Sequence, residues 1–138
     1  DLATSNGIPE NFADCFILTQ TLPFIFDVKS AVENSIKILK PGGWLLVTVP
    51  GITPISRYDM NRWGHYWSFT DLSLRLLYQS IVPKNNIEIR TYGNAKTSAC
   101  FLYGLAYEEL NKKDFEYNDP NYQVTITAAI QKPTFSLK

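Results

Sequence analysis

Residues Phe12 to Gly51, FADCFILTQTLPFIFDVKSAVENSIKILKPGGWLLVTVPG, constrain the fold more than any other stretch, because pattern and punctuation agree along their length. Ala13 to Thr19 and Trp44 to Val49 are short, nearly continuous apolar runs, the pattern of strands covered on both faces in a parallel sheet. Between them Val28, Ala31, Val32, Ser35, Ile36 and Leu39 recur at helical spacing, with Lys29, Glu33, Asn34 and Lys37 on the opposite face. Asp27 is placed to cap that helix. Lys40-Pro41-Gly42-Gly43 is expected to end it, since proline cannot continue the hydrogen-bond ladder and glycine accepts the positive φ of a helix terminus. The unit is strand, helix, strand, with a right-handed crossover expected.

The segments that follow extend an α/β pattern. Gln20 to Phe26 is an apolar loop or first helical turn at the carboxyl end of a strand, the edge where open α/β sheets place ligands. Gly51 to Phe69 holds no period, yet crowds Tyr58, Trp63, Tyr66, Trp67 and Phe69 together with Arg57, Asp59, Arg62 and His65. A loop of that length is functional or disordered, and aromatic density argues for packing. Thr70 caps a helix running to about Ser80, with Phe69 and Leu74 as a hydrophobic staple and Leu74, Leu77, Tyr78 and Ile81 as its buried stripe. Ile87 to Tyr92 alternates as a half-buried strand, and Ser98 to Leu110 is expected to be helical. Tyr122 to Gln131 carries the clearest period of two, which predicts an antiparallel or edge strand.

With 138 residues the chain is at most one domain. Its 13 basic and 13 acidic residues cancel, so no chain-wide field favours nucleic acid or an anionic membrane. No apolar run approaches the roughly 18 residues of a membrane span, and no signal peptide opens the chain, so the expected location is cytoplasmic. Cys15 and Cys100 are expected to be reduced core thiols, and no metal site is expected. The chain opens at Asp1 and its only methionine is Met60, which predicts a piece of a longer protein. Two parallel strands cannot cover themselves, so further strands or a second copy pairing at an exposed sheet edge are expected.

FADCFILTQTL, the helix and ILKPGGWLLVTVP together resemble the second half of a class I S-adenosylmethionine-dependent methyltransferase. RWGHYWSFTDLSLRLLY, EIRTYGN, GLAYEEL and DPNY are similar to methyltransferase-domain proteins linked to sugar and cell-surface polysaccharide biosynthesis. The resemblance implies a Rossmann-like methyltransferase sheet, here its carboxyl-terminal portion: strands 4 to 7 with flanking helices, the last strand antiparallel. Residues 1–138 would then be a partial domain without the amino-terminal strands and the glycine-rich cofactor loop. It implies S-adenosylmethionine as cofactor, with Asp1 and Leu2 facing the adenine and Thr19, Gln20 and Thr21 lining the sulfonium side. It also implies a small-molecule acceptor, sugar-like, and no nucleic acid or membrane partner.

Methyl transfer from a sulfonium needs in-line positioning and, for a hydroxyl or amine acceptor, a base. His65 has a suitable unperturbed pKa for that base, and the plainer reading is a loop histidine satisfied by solvent. Trp63, Tyr66 and Trp67 offer flat faces for a sugar ring, and Tyr58 and Arg57 complete the candidate acceptor site; the plainer reading is a lid packed on the sheet edge. Two other readings stand beside methyl transfer: a different doubly wound nucleotide-dependent enzyme, and a non-catalytic module that packs or pairs with a partner.

Overall fold

The computed structural model describes residues 1–4 and 6–134, and begins its sheet with β1 (Ala13–Thr19). There follow α1 (Val28–Lys37), β2 (Leu39–Pro50), α2 (Arg57–Met60), α3 (Asp71–Gln79), β3 (Ile87–Tyr92), α4 (Ala95–Leu102) and β4 (Thr125–Gln131). Single 3-10 turns lie at Leu22–Phe24, Lys84–Asn86, Tyr107–Glu109 and Lys112–Phe115. The four strands form one sheet in the order β1-β2-β4-β3. β1 and β2 pair in parallel across α1, whereas β4 lies antiparallel between β2 and β3. The antiparallel expectation for this last strand holds, but the strand is central, and β1 and β3 form the edges.

Helix starts follow the side chains expected to set them. Asp27 accepts from the Ser30 N–H at 3.1 Å and from Ser30 Oγ at 2.7 Å, bonds that hold its carboxyl below the usual carboxylate range. Thr70 and Ser73 close a reciprocal capping box on α3, above a buried Phe69 and Leu74. The fourth helix starts three residues earlier than its periodicity suggested, because Asn94 caps it through the Thr97 N–H, and it stops at Leu102. Residues 103–110, expected to be helical, are instead a turn at Gly104 (φ +77°) and one 3-10 turn.

Pro41-Gly42-Gly43 does not terminate a helix. α1 already ends at Lys37, and β2 begins at Leu39, with Ala13 opposite Leu39 but Cys15 opposite Trp44. The extra residues bulge out of β2, and Gly42 takes φ +81° at that bulge. A Cβ on Gly43 would sit 2.9 Å from Lys40 O and 3.0 Å from Asp14 O, so the backbones approach here only because the side chain is missing.

The core lies on one side of the sheet. Leu18, Leu45, Val47, Val49, Ile87, Ile126, Ala128 and Ile130 meet Ala31, Val32 and Ile36 from α1 and Leu74 and Tyr78 from α3. The other face is open: Ile17 is 66% exposed, Trp44 44% and Leu46 41%. Ile17 pairs with Leu46, Leu46 with Ala129 and Ala129 with Glu88, and Trp44, Thr127 and Arg90 stand two residues along their strands on the same side, so the open face runs across all four strands. This corrects the expectation that β1 and β2 are buried on two faces. It also corrects the reading of Cys15 as a core thiol, since Cys15 is exposed and Cys100 half-buried, both free.

Tyr78 is fully buried with its hydroxyl 3.5 Å from Ser35 Oγ, and burial pushes its pKa well above the usual tyrosine range. Because the folded state keeps this proton where the unfolded chain loses it, stability is intact below about pH 10 and falls as pH rises beyond it. Urea midpoints measured from pH 8 to 11 should show this fall, and Tyr78→Phe should flatten it. An equal slope in the variant would place the loss elsewhere.

Candidate functional site

The carboxyl end of β1 is where local strain, aromatic packing and a histidine converge. Thr19 ends the strand exposed, and Gln20 adopts a left-handed φ of 49°. That conformation costs a non-glycine residue about 1–2 kcal/mol, and such positions gather at ligand sites. Thr48 of β2 holds it: the Gln20 N–H donates to Thr48 O at 2.9 Å and Gln20 Nε2 donates to Thr48 Oγ1 at 3.2 Å. Thr21 Oγ1 donates back to Thr19 O at 3.0 Å. The chain then drops into the Leu22–Phe24 turn, anchored by fully buried Leu22 and Pro23.

The aromatic loop is fastened over this turn. Pro23 O accepts from the Tyr66 N–H at 2.8 Å and the Trp67 N–H at 3.3 Å, and Trp67 Nε1 donates to Ile25 O at 3.0 Å. Phe26 meets the Tyr66 ring edge-on at 5.3 Å and stacks with Trp67 at 6.2 Å. The Tyr66 ring crosses Gly64 (φ +94°) where a Cβ would stand, so only glycine lets the loop fold back this way. His65 packs its ring against Phe24 at 5.2 Å, and its Nδ1 accepts from the Ser56 N–H at 3.2 Å. With Nδ1 so occupied, the neutral imidazole carries its proton on Nε2.

His65, Tyr66 and Trp67 are therefore brought to the turn that follows Thr19, Gln20 and Thr21. Arg57, Tyr58 and Trp63 form a separate cluster about α2: Arg62 lies 3.3 Å over the Tyr58 ring, Tyr58 meets Trp63 edge-on at 6.1 Å, and Arg57 Nη1 approaches Met60 Sδ at 3.3 Å. One Tyr58 face is thus taken by a cation. Asp1 and Leu2 lie elsewhere, against the second half of α1, where Asn34 Nδ2 donates to Leu2 O at 2.9 Å. Phe24, Phe26 and Ser56 are partners that residue-by-residue reading missed. The signal for the two phenylalanines is that a loop, QTLPFIF, is as apolar as a strand; Ser56 takes part through its backbone N–H, which carries no residue code. The left-handed Gln20 has no signal, since glutamine is not a residue that favours it.

Among the described residues, no group of three His, Cys, Asp or Glu side chains could hold a metal ion, and no helix is long and apolar enough to cross a membrane.

No family model matches the chain. In sequence it is 23% identical over 92 residues to the protein named "Probable polyketide synthase 10" from Dictyostelium discoideum, a match covering 67% of this chain and 4% of that one. In structure it is similar to phosphoethanolamine N-methyltransferase 2 of Haemonchus contortus, solved with S-adenosyl-L-methionine, at TM-score 0.60 and 13% identity. That match covers 96% of this chain and 36% of the solved one. The [4+2]-cyclase SpnF matches at TM-score 0.54 and 18% identity, over 96% of this chain and 54% of the cyclase. The fold is thus the Rossmann-like α/β fold of S-adenosylmethionine-dependent methyltransferases. The chain spans about a third to a half of these solved chains and a small fraction of the polyketide synthase.

Proposed function

We propose that the chain is the carboxyl-terminal part of an S-adenosylmethionine-dependent methyltransferase acting on a small molecule, a sugar or polysaccharide precursor. The observation carrying this reading is the end of β1, where exposed Thr19, left-handed Gln20 and the His65 loop share one carboxyl edge. The fit to the cofactor is one-sided. Thr19, Gln20 and Thr21 suit one wall of a cofactor site, beside a β1 edge with no partner strand among the described residues. A glycine-rich loop that would hold the amino acid end does not occur in the sequence. Asp1 and Leu2 would face the adenine from the segment that Asn34 holds through Leu2 O. When bound, S-adenosylmethionine would supply an electrophilic methyl group.

The chain's own residues would then bind and orient the acceptor. Tyr66 and Trp67 offer partly exposed rings beside His65, and a sugar would lie against those faces, with Trp63, Tyr58 and Arg57 at the outer end of the loop. His65 would donate from Nε2 to an acceptor oxygen. To take a proton at Nε2 instead, it must give up the Ser56 bond and move its own proton to Nδ1. His65→Ala in the full-length protein should lower kcat about a hundredfold while S-adenosylmethionine affinity stays within about twofold, the low end of what one positioned acid–base group contributes. Unchanged turnover would leave His65 as a brace for Ser56.

Pairing of two copies through an exposed sheet edge and a cytoplasmic location belong to the same proposal. The open sheet face favours a second reading, a packing module with no chemistry of its own. Methyl transfer to a panel of sugar nucleotides, followed with radiolabelled cofactor, separates the two. Transfer to none of them would remove the sugar assignment.

A further inference from the structure

We infer that a cavity at the carboxyl end of β3 binds an apolar group the size of about two fused rings, or an acyl chain of like bulk. The cavity measures about 290 Å³, close to the lower bound of small-molecule sites and about twice the ~150 Å³ void that takes benzene. Tyr92, Cys100, Phe101, Leu105, Phe115 and Val124 supply most of its wall. Its polar side chains are hydroxyls and the Cys100 thiol, and no residue lining it carries a charge, so an ionic ligand would lose its hydration without a partner.

The walls are held by polar groups that face away from the interior. Buried Asn94 donates from Nδ2 to Asp114 O and Tyr117 O, both at 2.8 Å, while its Oδ1 accepts from the Thr97 N–H. Asp119 N–H donates to Gly93 O at 2.8 Å, and Lys96 pairs with Asp114 at 2.7 Å. Residues 93–97 and 114–119 are therefore tied to one another, and the Tyr107 and Phe115 rings, packed at 4.9 Å, bring the intervening segment onto them. Yet Phe101, Leu105 and Phe115 remain 40–43% exposed around the hollow. Apolar residues kept at a solvated rim by a rigid polar frame are what a binding site needs and a packing loop does not.

Position gives the cavity a use, and that use rests on the methyltransferase reading. Thr125 pairs with Tyr92 of β3 and with Pro50 of β2, so the cavity opens at the same edge as Thr19, two to three strand spacings or about 10–14 Å across the sheet. An acceptor with its polar end near His65 would place its apolar end here.

The test uses the full-length natural protein without added cofactor, so a failed methyltransferase reading leaves it intact. Alkylation of Cys100 by iodoacetamide is followed by peptide mass while 1-naphthol is titrated, with free glutathione in the same tube as the reference thiol. Cys100 alkylation should slow at least fivefold and saturably, with glutathione changed less than twofold. Phe115→Ala should raise the half-protecting concentration at least tenfold, and Leu105→Trp, which fills the hollow, should abolish protection. Glucose should not protect Cys100. No protection of Cys100 by 1-naphthol, equal slowing of glutathione, or protection by glucose instead would overturn the inference; should either variant misfold, the wild-type contrast between Cys100 and glutathione still decides.

Discussion

Titrated into the full-length natural protein, S-adenosylmethionine should bind at least about a thousandfold more tightly than to residues 1–138 alone, a difference of roughly 4 kcal/mol. The reason is the one-sided site. On the proposed reading the chain would supply the end of β1 with Thr19, Gln20 and Thr21, but β1 is an edge strand among the described residues, so the cofactor would meet water where a second wall belongs. Binding two ends of a ligand on one rigid site gains much more than binding either alone, because the loss of translational freedom is incurred once. Calorimetry decides it. No heat from the full-length protein would end the methyltransferase assignment, and tight binding by residues 1–138 would end the claim of a missing wall.

The second large effect contrasts neighbours on β2. Leu45 is fully buried against α1 and α3, so Leu45→Ala should cost about 2–5 kcal/mol in residues 1–138, read from urea unfolding. Leu46, one residue on, points to the open face and is 41% exposed. Leu46→Ala should therefore cost under about 0.5 kcal/mol in residues 1–138 and about 2 kcal/mol or more in a full-length protein whose added strands and helices cover that face. A small cost in both would mean that the face stays bare, which favours the packing-module reading over a completed methyltransferase sheet.

Much of the architecture was legible because local rules set it. β1 and β3 run over the predicted residues, Asp27 and Thr70 cap as expected, and Tyr78 and Leu74 form the core stripe of α3. The alternation through Ile126, Ala128 and Ile130 marked β4 as a strand with one buried face. The site was legible as neighbourhoods only: Thr19 to Thr21 at a strand end and an aromatic loop near His65. That Pro23 O joins the two through the Tyr66 and Trp67 amides depends on a backbone carbonyl, which carries no residue code.

The sequence by itself determined the α/β order of elements, the helix caps and the residues that seek burial, because propensity, capping and periodicity act within a few residues of chain. Tertiary structure alone decided that the Pro41-Gly42-Gly43 stretch is a strand bulge, that β4 is central, and that Leu45 is covered while Leu46 is bare. The physical reason is that an apolar side chain registers a free-energy gain on leaving water wherever it stands. Which element provides the cover is a property of neighbours distant in the chain, and for Ile17, Trp44 and Leu46 the described residues place no helix over them.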